Sequence, residues 1–137
     1  MRTRAVSKHI LIVDDKADLL SLMRMLLEDH RYRVSVLQQG RDALDFVYAN
    51  EPNLIILDLK LADVSGLDVL QSLKAHSDTA DIPVIVYTAA IIEAEEVEDL
   101  VARDPQHYAG VFVLQKPFEL DALLDQVESV LGTVEPC

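Results

Sequence analysis

Five polar residues of this chain stand at the ends of four short apolar runs. They supply three carboxylates, a hydroxyl and an ammonium group, and they are Asp14, Asp15, Asp58, Thr88 and Lys116. Parallel strands all finish at one edge of a sheet, and open α/β sheets bind ligands at that edge. If the apolar runs are such strands, these side chains gather in one pocket, which can hold a divalent cation and a phosphoryl group.

The three carboxylates give this pocket a charge that needs a counterion. Two like charges about 4 Å apart repel by roughly 4 kcal/mol at an effective dielectric of about 20. A packed acidic cluster therefore destabilises the empty fold, and Mg²⁺ suits it because this ion takes oxygen ligands and keeps several waters. Asp14 and Asp15 are adjacent, so both reach the pocket only where strand alternation ends. One would then bind the metal directly and the other through water.

Each of these residues has an ordinary structural explanation when it is taken alone. An Asp-Asp pair often forms a solvated turn or a helix cap, Thr88 suits a strand, and Lys116 with Pro117 suits a surface turn. Their joint arrangement argues for a site, because every one of them ends an apolar run and they follow one another in this order.

The elements that must position the pocket alternate along the chain. Apolar runs predict strands at residues 9–13, 33–37, 54–57, 83–87 and 111–115. Amphipathic segments predict helices over residues 16–30, 42–50, 92–103 and 120–131, and another that begins after residue 65. Five successive β-then-α units predict an α/β fold with a parallel sheet covered by helices on both faces. The strands lack polar alternation, which is expected when both faces of the sheet are buried.

The spacing of apolar residues also predicts which helical side chains face the core. In the first helix the predicted inner residues are Leu19, Leu22, Met23, Leu26 and Leu27. In the last helix they are Leu123, Leu124, Val127 and Val130. Ser65 is the predicted N-cap of the third helix, and Gly132 suits the position that follows the last helix.

Composition predicts a single domain and limits its partners. The 137 residues suffice to bury a full core, so we expect one domain over residues 1–137, with its core at about 8–132 and a short tail at 133–137. The net charge of −12 opposes direct binding of nucleic acid, which depends on Lys and Arg.

The apolar runs are shorter than the roughly 20 residues of a membrane span, and no signal-peptide core follows the N-terminus. A single cysteine, Cys137, excludes an internal disulfide and fits a cytoplasmic protein.

From Lys8 to Gly132 the chain resembles the receiver domains of two-component response regulators. The motifs that match are the acidic pair, Asp58 with Gly66 downstream, Thr88-Ala89 and Lys116-Pro117-Phe118. The resemblance implies a doubly wound, flavodoxin-like fold, with a five-stranded parallel sheet in the order 2-1-3-4-5 and five helices. The resemblance is to the single-domain form of this family, which includes the chemotaxis regulators.

The resemblance assigns a role to each acidic residue of the pocket. Asp58 would be the phosphoacceptor, taking a phosphoryl group from the phosphohistidine of a kinase to form an aspartyl phosphate. Asp14 and Asp15 would hold Mg²⁺ or Mn²⁺ together with Asp58 and the backbone carbonyl of Lys60. The metal would neutralise charge on the phosphoryl oxygens during transfer.

The remaining family motifs act on the phosphoryl group and on its readout. Lys116 would pair with a phosphoryl oxygen, while Thr88, followed by Ala89, would move its hydroxyl onto another and shift its loop. A cis peptide bond between Lys116 and Pro117 is a family feature. The chain would catalyse only its own phosphorylation and dephosphorylation. Its expected partners are a sensor histidine kinase or phosphotransfer protein and a downstream protein target, and the family allows a homodimer that forms on phosphorylation.

The chain departs from the family pattern mainly where the signal is read out. The position of the usual switch aromatic, three residues before the lysine, holds Val113, while the neighbouring Phe112 should face the other way by strand alternation. The proline usually found four residues after the phosphoacceptor is Ala62. The stretch 103–110 contains extra residues, and its Tyr108 is a candidate substitute for the missing aromatic.

Three other functions use a related fold. A phosphohydrolase with an aspartyl-phosphate intermediate needs an acidic residue two positions after the nucleophile, where this chain has Lys60. A pseudo-receiver would serve purely as a protein-binding scaffold, and the intact Asp58 and Lys116 argue against it. A flavin-binding protein would need a phosphate loop rich in Ser, Thr and Gly after the first strand, and this chain has none there.

Overall fold

Five parallel strands form one sheet between two layers of helices. The structure is a computed structural model, and it describes residues 7–88, 91–115 and 120–132. The strands are β1 (His9–Val13), β2 (Arg33–Leu37), β3 (Leu54–Asp58), β4 (Val84–Thr88) and β5 (Val111–Gln115). The helices are α1 (Ala17–Asp29), α2 (Ala43–Asn50), α3 (Gly66–Ala75), α4 (Ile91–Arg103) and α5 (Leu120–Leu131), with a short 3₁₀ turn at Gly40–Asp42.

The strands lie in the order β2-β1-β3-β4-β5, and every neighbouring pair is parallel. The predicted fold class, strand order and five α-helices are therefore confirmed. The register aligns the last residues of the strands, because Val13 pairs with Leu57 and Asp58 pairs with Tyr87. The polar residues that end the strands thus come to one edge of the sheet.

The core consists of two apolar clusters on opposite faces of the sheet. On one face, Leu11, Val13, Ile55, Leu57, Val84 and Val86 pack against residues of α2, α3 and α4. On the other face, Ile10, Ile12, Leu54, Ile56, Ile85 and Tyr87 pack against residues of α1 and α5. All five residues of β1, β3 and β4 are buried, which explains why their sequences show no polar alternation.

The predicted inner face of α1 was partly wrong. The buried stripe consists of Leu20, Met23 and Leu27, whereas Leu22 is 52% exposed. Helix α1 carries apolar residues around more of its circumference than the sheet and α5 can cover, so the spacing did not identify the contact stripe. In α5 the prediction was correct, since Leu123 and Val127 are buried and the other two residues pack at the margin.

The ends of the helices follow the predicted signals with one exception. Ser65 has extended backbone at the N-cap of α3, but within the described residues its side chain makes no capping hydrogen bond. Helix α2 is followed by Glu51, whose φ of 46° is left-handed and which directly precedes Pro52. Gly132 follows α5 with a φ of 79° and donates its N–H to the carbonyl of Glu128 at 2.7 Å, as expected of a helix-ending glycine.

The connection between α4 and β5 is folded onto the amino edge of the sheet. Tyr108 is buried in the apolar cluster on the α2-α3-α4 face. The Nζ of the buried Lys74 donates to the carbonyls of Ala80 at 2.7 Å, Ile82 at 3.0 Å and Ala109 at 3.4 Å. Burial lowers the pKa of the Lys74 ammonium, and these carbonyls replace the water that it has lost. This side chain ties α3 to two loops at the edge opposite the acidic residues.

No helix within the described ranges is both long and apolar enough to cross a membrane.

Candidate functional site

Three carboxylates converge at the carboxyl edge of the sheet. One oxygen from each of Asp14, Asp15 and Asp58 lies within 4.8 Å of the others. Asp14 and Asp58 are buried, with exposures of 0% and 1%, whereas Asp15 is half-buried. The structure thus brings together the three acidic residues that the sequence placed at the ends of two different strands.

The backbone ladders explain how the acidic side chains reach one another. The N–H of Asp14 donates to the carbonyl of Leu37 at 3.0 Å, so the β1–β2 ladder extends one residue beyond Val13. Asp58 is the last residue of β3 and pairs with Tyr87 of β4. Because side chains alternate along a strand, Asp14, Asp58 and Tyr87 lie on the sheet face that also carries α1 and α5.

The two adjacent aspartates differ in their hydrogen bonding. Asp14 accepts the N–H of Lys16 on Oδ1 at 2.8 Å and the hydroxyl of Tyr87 on Oδ2. Among the described residues, Oδ1 of Asp15 is buried and accepts no hydrogen bond. An unsatisfied carboxylate oxygen beside two further carboxylates has the donor chemistry that a divalent cation needs. The residues present therefore fit a metal ion such as Mg²⁺.

Tyr87 is the residue of the site that the sequence analysis missed. Its side chain is fully buried, and burial first and the Asp14 carboxylate second raise the pKa of its hydroxyl well above the usual value. In the sequence it belongs to the apolar run that precedes Thr88. A phenol in an otherwise aliphatic buried strand was the available signal, because a buried tyrosine hydroxyl usually requires a polar partner.

The loop after Asp58 is held close to that residue. Oδ1 of Asp58 accepts the N–H of Lys60 at 3.0 Å. Gly66 is required at the return of the loop, because a Cβ there would lie 2.3 Å from the carbonyl oxygen of Asp58. The backbone of Lys60, whose carbonyl is a predicted metal ligand, is consequently fixed beside the carboxylate cluster, and its side chain is exposed.

The same loop is also attached to the start of the second helical segment. Asp63 accepts the N–H of Gly40 at 3.1 Å and the N–H of Arg41 at 3.0 Å. These backbone hydrogen bonds, that of Arg41 foremost, lower the pKa of the Asp63 carboxyl. The sequence analysis did not single out Asp63, because an aspartate in a loop gives no signal of a specific partner.

Thr88 ends β4 one residue beyond the position that pairs with Asp58, and it is buried. It therefore lies at the edge that carries the acidic cluster. The other residues predicted to contact the phosphoryl group, Ala89 and Lys116, lie outside the described residues, as does the predicted cis bond to Pro117. Those assignments stay predictions.

The readout positions are only partly as expected. Val113 packs against the apolar cluster on the α2-α3-α4 face, and Phe112 is 37% exposed and points to the other face, as strand alternation predicted. Tyr108, however, precedes β5 and lies at the amino edge, since Val111 pairs with Val84 at the start of β4. Tyr108 is thus at the wrong edge of the sheet to replace a switch aromatic beside Thr88.

Comparison with known protein families gives a match along most of the chain. A sequence model described as the response regulator receiver domain matches residues 10–128. The response regulator MprA of Mycolicibacterium vanbaalenii is 32% identical over 128 residues, which are 93% of this chain and 52% of that protein. The chain therefore spans about half the length of this relative.

Solved structures show the same architecture. The signal receiver domain of a signal transduction histidine kinase from Syntrophus aciditrophicus is 27% identical, with a TM-score of 0.78 over 96% of this chain and 95% of that one. The chemotaxis response regulator CheY4 of Vibrio cholerae also has a TM-score of 0.78, covering 92% of this chain and 100% of that one. At 22% identity, this second likeness shows the fold alone.

Proposed function

The chain belongs to the response regulator receiver domain family, and from this premise we propose that it accepts a phosphoryl group on Asp58 in a two-component phosphorelay. The observation that supports this function is the convergence of Asp14, Asp15 and Asp58 at the carboxyl edge. Asp58 is the one of the three that both ends a strand and starts the loop returning to it.

The acidic cluster supports a divalent cation as the cofactor of this reaction. Asp15 and Asp58, with the backbone carbonyl of Lys60 and with Asp14 nearby, would hold Mg²⁺ or Mn²⁺. The bound cation would supply neutralising charge to the phosphoryl oxygens. Without it the three carboxylates repel one another and would also repel an incoming phosphoryl group.

The chain's own residues orient the acceptor and exclude water. In the transfer, a carboxylate oxygen of Asp58 attacks phosphorus, the P–N bond of a phosphohistidine breaks, and the imidazole leaves. The N–H of Lys60 donates to Oδ1 of Asp58 at 3.0 Å, so the acceptor carboxylate is oriented before the donor arrives. Asp58 and Thr88 are buried, and this burial would limit the access of water to the phosphorylated product. Thr88 and Lys116 are proposed to bind phosphoryl oxygens.

The proposed partners follow from the family. A sensor histidine kinase or phosphotransfer protein would supply the phosphoryl group, and a protein target would respond to the phosphorylated form. We propose that the chain catalyses only its own phosphorylation and dephosphorylation. A cytoplasmic location and a homodimer formed on phosphorylation stay predictions of the same kind.

Acyl-phosphate labelling tests this function directly. With Mg²⁺ and acetyl phosphate, intact-mass spectrometry should show one added phosphoryl group per chain, and EDTA should abolish it. Asp58→Asn should not be labelled. Asp63→Asn is the matched control, because Asp63 lies on the same loop and its carboxylate accepts backbone N–H groups, those of Gly40 and Arg41 among them.

The alternative functions predict different results in the same assay. A parent protein that gains no phosphoryl group would instead be a pseudo-receiver scaffold. Steady release of phosphate from generic phosphomonoesters would indicate a phosphohydrolase, although Lys60 occupies the position of its general acid. Labelling that persists in Asp58→Asn would place the acceptor elsewhere.

A further inference from the structure

The hydroxyl of Tyr87 connects β4 to the acidic cluster across the intervening strand β3. Strand β3 lies between β1 and β4 in the sheet, and Tyr87 pairs in register with Asp58. Its hydroxyl nevertheless reaches past that neighbour and donates to Oδ2 of Asp14, at the end of β1. The contact joins residues 73 positions apart in the sequence, and both partners are buried.

This hydrogen bond completes the set of donors around one of the two adjacent aspartates. Oδ1 of Asp14 accepts the N–H of Lys16, and Oδ2 accepts the hydroxyl of Tyr87. Charged carboxylates form stronger hydrogen bonds than neutral acceptors, so these two donors hold the Asp14 carboxylate in one orientation. Asp15, half-buried beside it, has an oxygen that accepts no hydrogen bond from the described residues.

We propose that Tyr87 is a positioning residue of the cation site. It fixes the orientation of the Asp14 carboxylate, and therefore how the charge of this residue would face a cation held by the acidic cluster. The inference rests on the proposed function, because it assumes that the cluster binds a divalent cation. It adds a residue of β4 to a site whose acidic residues come from β1 and β3.

Removal of the hydroxyl has a specific consequence for this site. Oδ2 of Asp14 would remain buried without its donor, so the carboxylate must rotate to find another partner. This rotation changes how the charge of Asp14 faces the cation. Loss of a partner that hydrogen-bonds to a metal-site residue typically lowers metal affinity by about 10–100-fold. We expect about a tenfold loss here, because the N–H of Lys16 still holds the other oxygen.

The first test is the Mg²⁺ dissociation constant of Tyr87→Phe, measured by calorimetry on the full chain. This variant keeps the ring in the core and deletes only the hydroxyl. Tyr32→Phe is the matched control, because Tyr32 is also buried in the cluster on the α1-α5 face and its hydroxyl has no hydrogen-bond partner among the described residues. We expect about tenfold weaker binding in Tyr87→Phe and parental binding in the control.

A double-mutant cycle separates positioning from general destabilisation. If Tyr87 acts through Asp14, adding Tyr87→Phe to Asp14→Asn should weaken Mg²⁺ binding by less than about twofold, because coupled residues are not additive. The near-ultraviolet absorption of tyrosine gives a second readout. Mg²⁺ should perturb it in the parent and in Tyr32→Phe, and this perturbation should vanish in Tyr87→Phe.

The outcomes distinguish this inference from the proposed function. Unchanged Mg²⁺ affinity in Tyr87→Phe, or full additivity with Asp14→Asn, overturns the positioning role alone. A Tyr87→Phe protein that loses thermal stability but binds Mg²⁺ normally also overturns that role, since Tyr87 would then be purely structural. A parent that binds no Mg²⁺ at millimolar concentration overturns the proposed function and this inference together.

Discussion

Asp14 and Asp15 show how far two identical neighbouring residues can differ. The sequence indicated that both reach the pocket and left open which one binds the cation directly. The structure buries Asp14 between two donors and leaves an oxygen of Asp15 without one among the described residues. This difference depends on Tyr87, whose hydroxyl comes from another strand. Local sequence could not predict it, because the partner is set by sheet register and not by neighbours in the chain.

Asp15→Asn should stabilise the metal-free protein and weaken its response to Mg²⁺. The substitution removes one of three mutually repelling charges. The free energy of unfolding should rise by about 1 to 4 kcal/mol, because two charges about 4 Å apart repel by about 1 kcal/mol in water and by about 4 kcal/mol at a dielectric near 20. In the parent, millimolar Mg²⁺ should raise the melting temperature by binding only the folded state. Differential scanning calorimetry with and without Mg²⁺ measures both effects.

Asp14→Asn is the informative comparison for this prediction. Its carboxylate accepts hydrogen bonds from the N–H of Lys16 and the hydroxyl of Tyr87, so the relief of repulsion should be offset by poorer hydrogen bonding. A metal-free Asp15→Asn protein that melts below the parent would contradict the prediction and assign Asp15 a structural role.

His9 should make the protein less stable in mild acid. The ring is buried, Nε2 lies 2.8 Å from the hydroxyl oxygen of Ser35, and burial foremost, then the Arg33 charge, lowers the His9 pKa below 6.5. The unfolded chain therefore binds the proton more readily, so the stability that neutral His9 contributes is complete above pH 6.5 and declines as the pH falls through the folded-state pKa.

Urea unfolding of His9→Gln at pH values about one unit above and below the reference pKa of His9 tests this. The variant should lose less stability than the parent between the two conditions. His30→Gln is the control, because His30 is exposed at the end of α1. An equal pH dependence in the parent and His9→Gln would rule out the proposed contribution.

At the scale of elements, the loop between β3 and α3 shows where sequence signals succeeded and where they did not. Ser65 was correctly placed at the N-cap of α3, but its side chain makes no capping bond in the described structure. Asp63 of the same loop instead accepts the N–H groups of Gly40 and Arg41, at the start of a different segment. Pattern reasoning finds the end of a helix well. It cannot identify which distant backbone a loop carboxylate will contact.

Gly66→Ala should destabilise the fold strongly because the loop has no room for a side chain. A Cβ at this position would lie 2.3 Å from the carbonyl oxygen of Asp58 and 2.5 Å from the Cα of Leu59, and backbone atoms cannot yield as a flexible side chain can. We expect a loss at or above the upper end of the about 1–3 kcal/mol typical of overpacking. Chemical denaturation measures it.

Gly132→Ala provides the contrast for this prediction. A Cβ at Gly132 meets nothing within 4 Å, and only the φ of 79° opposes it. Its loss should therefore be about 1 kcal/mol, the usual cost of a side chain in the left-handed region. A Gly66→Ala protein no less stable than Gly132→Ala would show that the loop can move away from Asp58.

At the scale of the whole molecule, the alternation of elements predicted a parallel sheet and the meeting of the acidic residues at one edge, whereas the strand order followed from the resemblance to receiver domains. Because the strands are parallel, their final residues must lie at the same edge of the sheet. The sequence also showed that the connection between α4 and β5 is long, but it did not show where this connection packs in the fold. Tyr108 packs into the core at the amino edge, a tertiary contact for which the sequence contained no periodic signal.

Phosphorylation should change the surface of this chain less than it changes the surface of family members that carry the switch aromatic. Val113 lies level with Val86 on the neighbouring strand and packs against the α2-α3-α4 cluster, so this position has no large ring that could rotate. We expect amide chemical shifts on beryllofluoride binding to change around Thr88 and little in α4. A large movement of α4, with the rest of the 103–110 stretch unmoved, would contradict this expectation.

The pocket is built from side chains that are far apart along the chain, so it can form only when several βα units have docked onto one another. Asp14 follows β1, Asp58 ends β3 and Tyr87 lies on β4, so no single βα unit contains the pocket. A chain in which one of these units has not docked should not accept a phosphoryl group. During refolding from urea, labelling of Asp58 should therefore rise no earlier than the slowest phase seen by circular dichroism. Earlier labelling would show that the pocket forms in a partly folded chain.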